Sequence, residues 1–211
     1  HRHDHGRRAQ ARSDVVIGRR GSWGRALALV ALTVAAGACD RKPALPIEPI
    51  GGDFSLTDHT SQRFELASQR GKVVLIFFGY SFCPDVCPTT LSKLSSVTRR
   101  LGEDRPKVKT LYITVDPERD TPEVLKADLD QFDLDALGLT GTREEVDTVV
   151  KLYGAKYEIV PTPESAAPYT VSHSTTLYAL DAKGRVRLQF PYEATVDQVV
   201  AGIRQILADE S

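Results

Sequence analysis

The chain has 211 residues, 27 Lys and Arg against 28 Asp and Glu, a net charge of −1 and 41% hydrophobic residues. That length accommodates one domain and an appendage. Beyond Cys39 the balance is 20 basic to 26 acidic residues, with no basic face for nucleic acid, so that class of partner is set aside.

The appendage comes first. Residues 1–25 hold seven arginines, no lysine and two acids; an uncharged, mostly aliphatic stretch occupies 26–36, then Gly37-Ala38-Cys39. Basic, apolar, small is the order of a bacterial secretion leader, here 1–38. Its 11 residues, ten of them apolar, fall short of the roughly 20 that span a bilayer, although an uncleaved anchor is the alternative. Ala36-Gly37-Ala38-Cys39 resembles a lipoprotein cleavage box, which makes Cys39 the lipidation site. Acylating it removes an odd thiol from an oxidising compartment and leaves two cysteines together in the chain. With Asp40 next to it, the expected location is the bacterial inner membrane, facing the periplasm. His1, His3 and His5 fall in the leader and receive no role. Residues 39–52, rich in proline and glycine, read as a tether.

Folding is expected from Asp53 to the C-terminus. Phe54-Ser55-Leu56 and Phe64-Glu65-Leu66 alternate around Asp58-His59-Thr60 as a hairpin does. Val73-Val74-Leu75-Ile76-Phe77-Phe78, closed by Gly79, is short, apolar and rich in β-branched and aromatic residues, which predicts a buried parallel strand. Cys83 and Cys87 come next, in Tyr80-Ser81-Phe82-Cys83-Pro84-Asp85-Val86-Cys87-Pro88. Pro88 suits a first helical position, and Leu91, Leu94, Val97 and Leu101 continue at helical spacing. Residues 108–115 form a second buried strand ending at Asp116-Pro117. Thr121-Pro122-Glu123 opens a helix through Leu125 and Leu129, and Thr142-Arg143-Glu144-Glu145 is a capping box for another. Residues 154–172, with Pro161, Pro163 and Pro168, read as a long irregular insertion, mobile without metal and positioning His173. Residues 174–180 and 186–190 make a second hairpin, and the Thr195 to Gln198 capping box opens the last helix.

Hairpin, β, α, β, α, α, hairpin, α is the layout of an α/β thioredoxin-like domain with an N-terminal hairpin extension and an inserted helix and loop. The two thiols then lie at the C-terminal edge of the sheet and the start of a helix, where the helix dipole favours thiolate, the form that attacks disulfides or binds metal. A structural disulfide is the plain alternative. In this fold the segment entering the third core strand passes beside the dithiol. Thioredoxins carry a cis-proline there; this chain offers His173. Two sulfurs and one imidazole suit copper, as Cu(I) and Cu(II), ahead of zinc, which prefers four ligands in a closed site.

Cys83-Pro84-Asp85-Val86-Cys87-Pro88, Val115-Asp116-Pro117-Glu118-Arg119-Asp120-Thr121-Pro122, Gly138-Leu139-Thr140-Gly141-Thr142 and the late His173 together resemble the Sco/SenC family, from about Asp53 to the C-terminus. The resemblance implies a membrane-anchored copper metallochaperone that receives copper from an upstream donor. It would deliver the metal to the dinuclear copper centre in the copper-bearing subunit of cytochrome c oxidase, with reduction of that centre's cysteines as a further capacity. It implies Cys83, Cys87 and His173 as copper ligands. The three residues between the cysteines also leave a Cys83-Cys87 disulfide possible, so the site can act as clamp or redox couple. Many members have an aspartate before the histidine; Ser172 stands there, so a carboxylate orienting the imidazole must come from elsewhere or be absent.

Asp116, Arg119 and Asp120 are candidates for contacting the partner or orienting ligands, or for turn formation and capping. Asp85 is a candidate for tuning the thiols or docking a partner, or for a solvated turn. Tyr80 and Phe82 are expected to wall the site, and His59 to be a surface residue. The competing function is a periplasmic thiol-disulfide reductase using Cys83 and Cys87 without metal. Against it, the Trp-Cys start common in thioredoxins is missing, the single tryptophan, Trp23, being in the leader. A peroxidase reading lacks the Pro-x-x-x-Thr-x-x-Cys pattern.

Overall fold

The strand that carries the chemistry forms because nothing polar interrupts it: all seven residues of Val73–Gly79 (β3) are buried, as expected of a central strand covered on both faces. Before it, Ser55–Asp58 (β1) and Arg63–Glu65 (β2) make the antiparallel hairpin. After it come helix Val86–Leu101 (α1), strand Val108–Thr114 (β4), helix Pro122–Leu129 (α2), strand Ala136–Thr140 (β5) and helix Arg143–Leu152 (α3). Tyr157–Pro161 (β6) and Tyr169–His173 (β7) form a separate two-stranded sheet; Leu177–Leu180 (β8), Val186–Phe190 (β9) and helix Val196–Asp209 (α4) complete the chain. This computed structural model describes residues 43–164 and 167–210; the expectations for the leader, Cys39 and Asp40 lie outside the described residues.

The main sheet has the order β2-β1-β5-β4-β3-β8-β9. β3, β4 and β5 are parallel, joined through α1 and α2, and β8 returns antiparallel to β3. Register places Gly79 beside Thr114, so the cysteine loop and the turn after β4 emerge together at one edge. Helix starts match the sequence signals: Thr121, Thr142 and Thr195 cap with their side chains, the last two in full capping boxes. Pro88 sits in the third position of α1, which begins at Val86; there too its missing N–H has no intrahelical partner to lose.

Three features differ from the sequence reading. Strand β5 went unpredicted, since five residues with Gly138 in the middle carry a weak strand signal. Gly138 is there because α2 packs on it: a Cβ would lie 3.0 Å from Leu125 Cβ and 3.1 Å from Leu129 Cδ1. The stretch 154–172 is largely a hairpin with Tyr157 opposite His173 and Pro161 opposite Tyr169; its prolines sit at or beyond strand ends, where a missing donor is harmless. Part of the expected tether is docked. Leu45 N–H donates to Asp209, Glu48 N–H to the Val186 carbonyl and Gly51 N–H to the Leu152 carbonyl.

Candidate metal centre

Cys87 lies in the first turn of α1 and is 2% exposed, whereas Cys83, in the preceding turn, is half-buried. The Cys83 N–H donates to the Tyr80 carbonyl at 3.2 Å, and the Cys87 N–H reaches Cys83 Sγ at 3.5 Å, so the helix start solvates the outer sulfur. Both are free thiols. They share one proton: the hydrogen bond from Cys87 pulls the Cys83 thiol down, to about 3, against the opposing effect of burial and with help from His173. The same interaction, and then burial, pushes Cys87 up. The outer sulfur is therefore the one that ionises first, and the inner one is its donor.

His173 ends β7 and comes to the pair from the other sheet. Its Nε2 lies 3.5 Å from Cys87 Sγ and its Nδ1 2.9 Å from the Ser174 carbonyl. The Nδ1 contact with that carbonyl turns Nε2 toward the sulfurs, so that Nε2 is the ring nitrogen a metal there would take. This backbone oxygen takes the orienting role that the sequence left open at Ser172. The imidazole is wedged edge-on between Phe77 and Tyr80, with ring centroids 6.2 and 5.9 Å away. The Cys83, Cys87 and His173 ligand atoms all lie within 4.8 Å of one another. Three atoms bound to one ion at about 2.0–2.3 Å in a trigonal site lie about 3.5–4.0 Å apart, so a contraction of about 1 Å at the widest separation closes the site.

The surrounding turn fastens both pieces of chain. Buried Asp120 accepts from the Ser81 N–H at 3.0 Å, from Ser81 Oγ at 2.5 Å and from Thr114 Oγ1 at 2.6 Å, pinning the cysteine loop to β4. Buried Asp116 accepts from Tyr169 Oη at 2.9 Å and pairs with Arg119 Nε. Arg119 donates to the Tyr169 carbonyl at 3.2 Å, and its guanidinium lies 3.8 Å from the Tyr169 ring centroid and 4.9 Å from that of Phe82. Tyr80 adds a direct tie: its hydroxyl meets Thr170 Oγ1 at 2.8 Å and accepts the Val171 N–H at 3.3 Å. Burial raises the Asp120 carboxyl against the Ser81 and Thr114 hydrogen bonds. Burial, then the charges of Asp120 and Cys83, push half-buried Asp128 up to about 6.

Of the sequence candidates, Cys83, Cys87, His173 and Tyr80 meet, and Asp116, Arg119 and Asp120 hold them. Phe82 is 55% exposed and covers Arg119 rather than walling the ligands. Asp85 is exposed at the helix start, with no capping bond from its side chain. His59 accepts the Gly138 N–H at 3.0 Å and belongs to the packing of β5. Ser81, Thr114, Asp128 and Tyr112 escaped the sequence reading. Ser81, close to Cys83 in its motif, was the one with a positional signal.

The site has a buried and a half-buried sulfur at a helix start with an oriented imidazole above them, on a thioredoxin-like sheet. Likeness to known proteins places the chain further. It matches the SCO1/SenC family over residues 43–208, and belongs to that family. A SCO2-like protein of Rickettsia felis is 33% identical over 151 residues, 72% of this chain and 74% of that protein. The mouse mitochondrial SCO2 homolog is 38% identical over 171 residues, 80% and 67% of the two chains. The solved structure of Bradyrhizobium japonicum ScoI with copper bound superimposes with a TM-score of 0.68 at 40% identity, covering 74% of this chain and 99% of that one. Among the described residues no helix is long and apolar enough to cross a membrane.

Proposed function

We propose that this chain binds copper through Cys83, Cys87 and His173 and hands it to the dinuclear copper centre of cytochrome c oxidase, working from the periplasmic face of the membrane. The observation that carries the reading is the meeting of those three ligand atoms, from a loop, a helix and a separate hairpin, within 4.8 Å. The donor set fits copper: two soft sulfurs and one neutral imidazole suit Cu(I), and the nitrogen lets the same site hold Cu(II). Copper is cargo here, taken from an upstream donor and released to the copper-bearing oxidase subunit. Three ligands, one of them half-exposed, favour that exchange over permanent capture. Anchoring through lipid on Cys39 is inferred from the leader; cleavage and acylation are read by mass spectrometry of the membrane fraction.

The test is anaerobic copper titration of the full chain, with sulfur and nitrogen ligation read by X-ray absorption, beside His173→Ala. One equivalent with both sulfurs and one imidazole is expected. The variant should lose at least about tenfold in retention, the scale of one lost charge-assisted contact. Retention unchanged in the variant would remove His173 from the site and the reading with it.

A second reading draws support from the asymmetry of the dithiol, a half-buried sulfur that ionises first beside a buried partner thiol, which is the arrangement of an attacking and a resolving cysteine. It makes the chain a thiol-disulfide reductase through a Cys83-Cys87 disulfide. Reductase turnover that persists in His173→Ala while copper retention falls assigns the two capacities to separate parts of one site.

A further inference from the structure

Under the dithiol lies a polar group that the copper reading does not use. Tyr112, in β4, is fully buried, its ring stacked on Phe77 at 12° with centroids 6.0 Å apart, and its hydroxyl has no hydrogen-bond partner. A phenylalanine would fill the same space without an unmet hydroxyl, so the oxygen asks for an acceptor. The neighbourhood supplies one. A Cβ built on Gly79 would sit 2.7 Å from Tyr112 Cε2 and 2.8 Å from Cys87 Sγ, so ring edge and sulfur flank the same bare backbone position.

A thiol sulfur is a weak acceptor. A copper-bound thiolate carries charge and is a stronger one. We propose that the Tyr112 hydroxyl is a donor to the Cys87 sulfur in the copper-loaded protein, and that it tunes the held copper toward Cu(I). This tuning rests on the proposed role of Cys87 as a copper ligand. A hydrogen bond drains charge from the sulfur, which weakens its donation to Cu(II) more than to Cu(I). Gly79 keeps the two groups in reach, since any side chain there would separate them.

The experiment compares the full chain with Tyr112→Phe after loading with cupric ion. Removing the donor should move the sulfur-to-Cu(II) charge-transfer band to longer wavelength. It should also lower the Cu(I):Cu(II) ratio at a fixed ferricyanide:ferrocyanide poise by about tenfold, or about 59 mV for a one-electron couple. In that titration Cu(I) gives one electron to ferricyanide, leaving Cu(II) and ferrocyanide. A purely structural role moves neither readout, and the thermal midpoint should hold or rise because an unsatisfied hydroxyl has left the core. Site-directed 3-fluorotyrosine at 112, a stronger donor of nearly the same shape, should shift band and ratio the opposite way, and it serves if the phenylalanine variant does not fold. Band and ratio unchanged in the folded variants overturn the assignment. Absence of any sulfur-to-copper band in the unsubstituted chain is a different failure: it sinks the copper reading itself.

Discussion

One guanidinium bridges the two stretches of backbone whose separation defines the ligand set. Arg119 pairs with Asp116, donates to the Tyr169 carbonyl and lies against the rings of Tyr169, Phe82 and Tyr80. Its Nη2 is buried without a hydrogen-bond partner. A flat cation suits that position: it stacks between rings while its fork reaches in two directions, and a lysine cannot do both. Arg119→Lys is therefore expected to keep the charge and lose the tie from the cysteine loop to β7. Losing one charge-assisted hydrogen bond and the stacking costs about 2 kcal/mol. Copper should leave roughly tenfold faster to a competing chelator, with weaker imidazole scattering in the absorption spectrum. Equal release rates would reduce Arg119 to a turn residue. Residue types alone leave Asp116, Arg119 and Asp120 with competing readings, partner contact, ligand orientation and turn capping. In the folded chain the turn is the orienting device: the acids that shape it are the ones that grip Ser81 and Tyr169.

The strands show which parts of the site were legible beforehand. β3 and the helix after Cys87 announce themselves through an unbroken apolar run and helical spacing, so the dithiol edge could be placed from residues alone. The approach of His173 depends on β7 lying beside that edge, and its sequence signal was position within an expected topology. The hairpin β6–β7 was hidden because prolines and an exposed β6, with Ile159 and Val160 turned to solvent, lack the alternation of a strand packed on a core. Gly79 was legible only as a strand end, whereas its absent side chain leaves room for Cys87 and Tyr112. Gly79→Ala tests that. A methyl group within 3 Å of Tyr112 Cε2 and Cys87 Sγ must displace one of them, and overpacking of this kind costs about 1–3 kcal/mol. A thermal midpoint lowered by several degrees and a weakened copper complex are expected; an unperturbed midpoint would mean that the β3–β4 edge has slack absent from this packing.

Far from the copper edge, the N-terminal segment is fastened by a buried charge network, which ties the order of the first described residues to the stability of the domain. Arg187 is 6% exposed; it donates to the carbonyls of Leu45 and Pro46 and pairs with Asp181 at 3.3 Å and Asp209 at 3.0 Å. Asp209 in turn accepts the Leu45 N–H at 2.8 Å. Removing Arg187 leaves Asp209 without its cation while Asp181 keeps Arg185, at a cost near the low end of the about 3–5 kcal/mol of a broken buried pair. Arg187→Met should release residues 45–48, seen as faster amide exchange there, and lower the thermal midpoint, while the copper spectrum stays as it was. The network also has a pH signature. Burial of Asp181 favours its protonated form, but the side-chain and backbone hydrogen bonds from Arg185, its charge, and the Lys183 N–H outweigh that and hold the carboxyl below its ordinary 3.8. A carboxyl depressed in the folded state stabilises the fold above its unfolded value and loses that contribution as pH falls through the folded one. Amide protection at residues 45–48 should therefore persist at pH 5 and decline below about pH 4, ahead of β3. Protection that falls already between pH 7 and 5 would assign the fastening of this segment to some group other than Asp181.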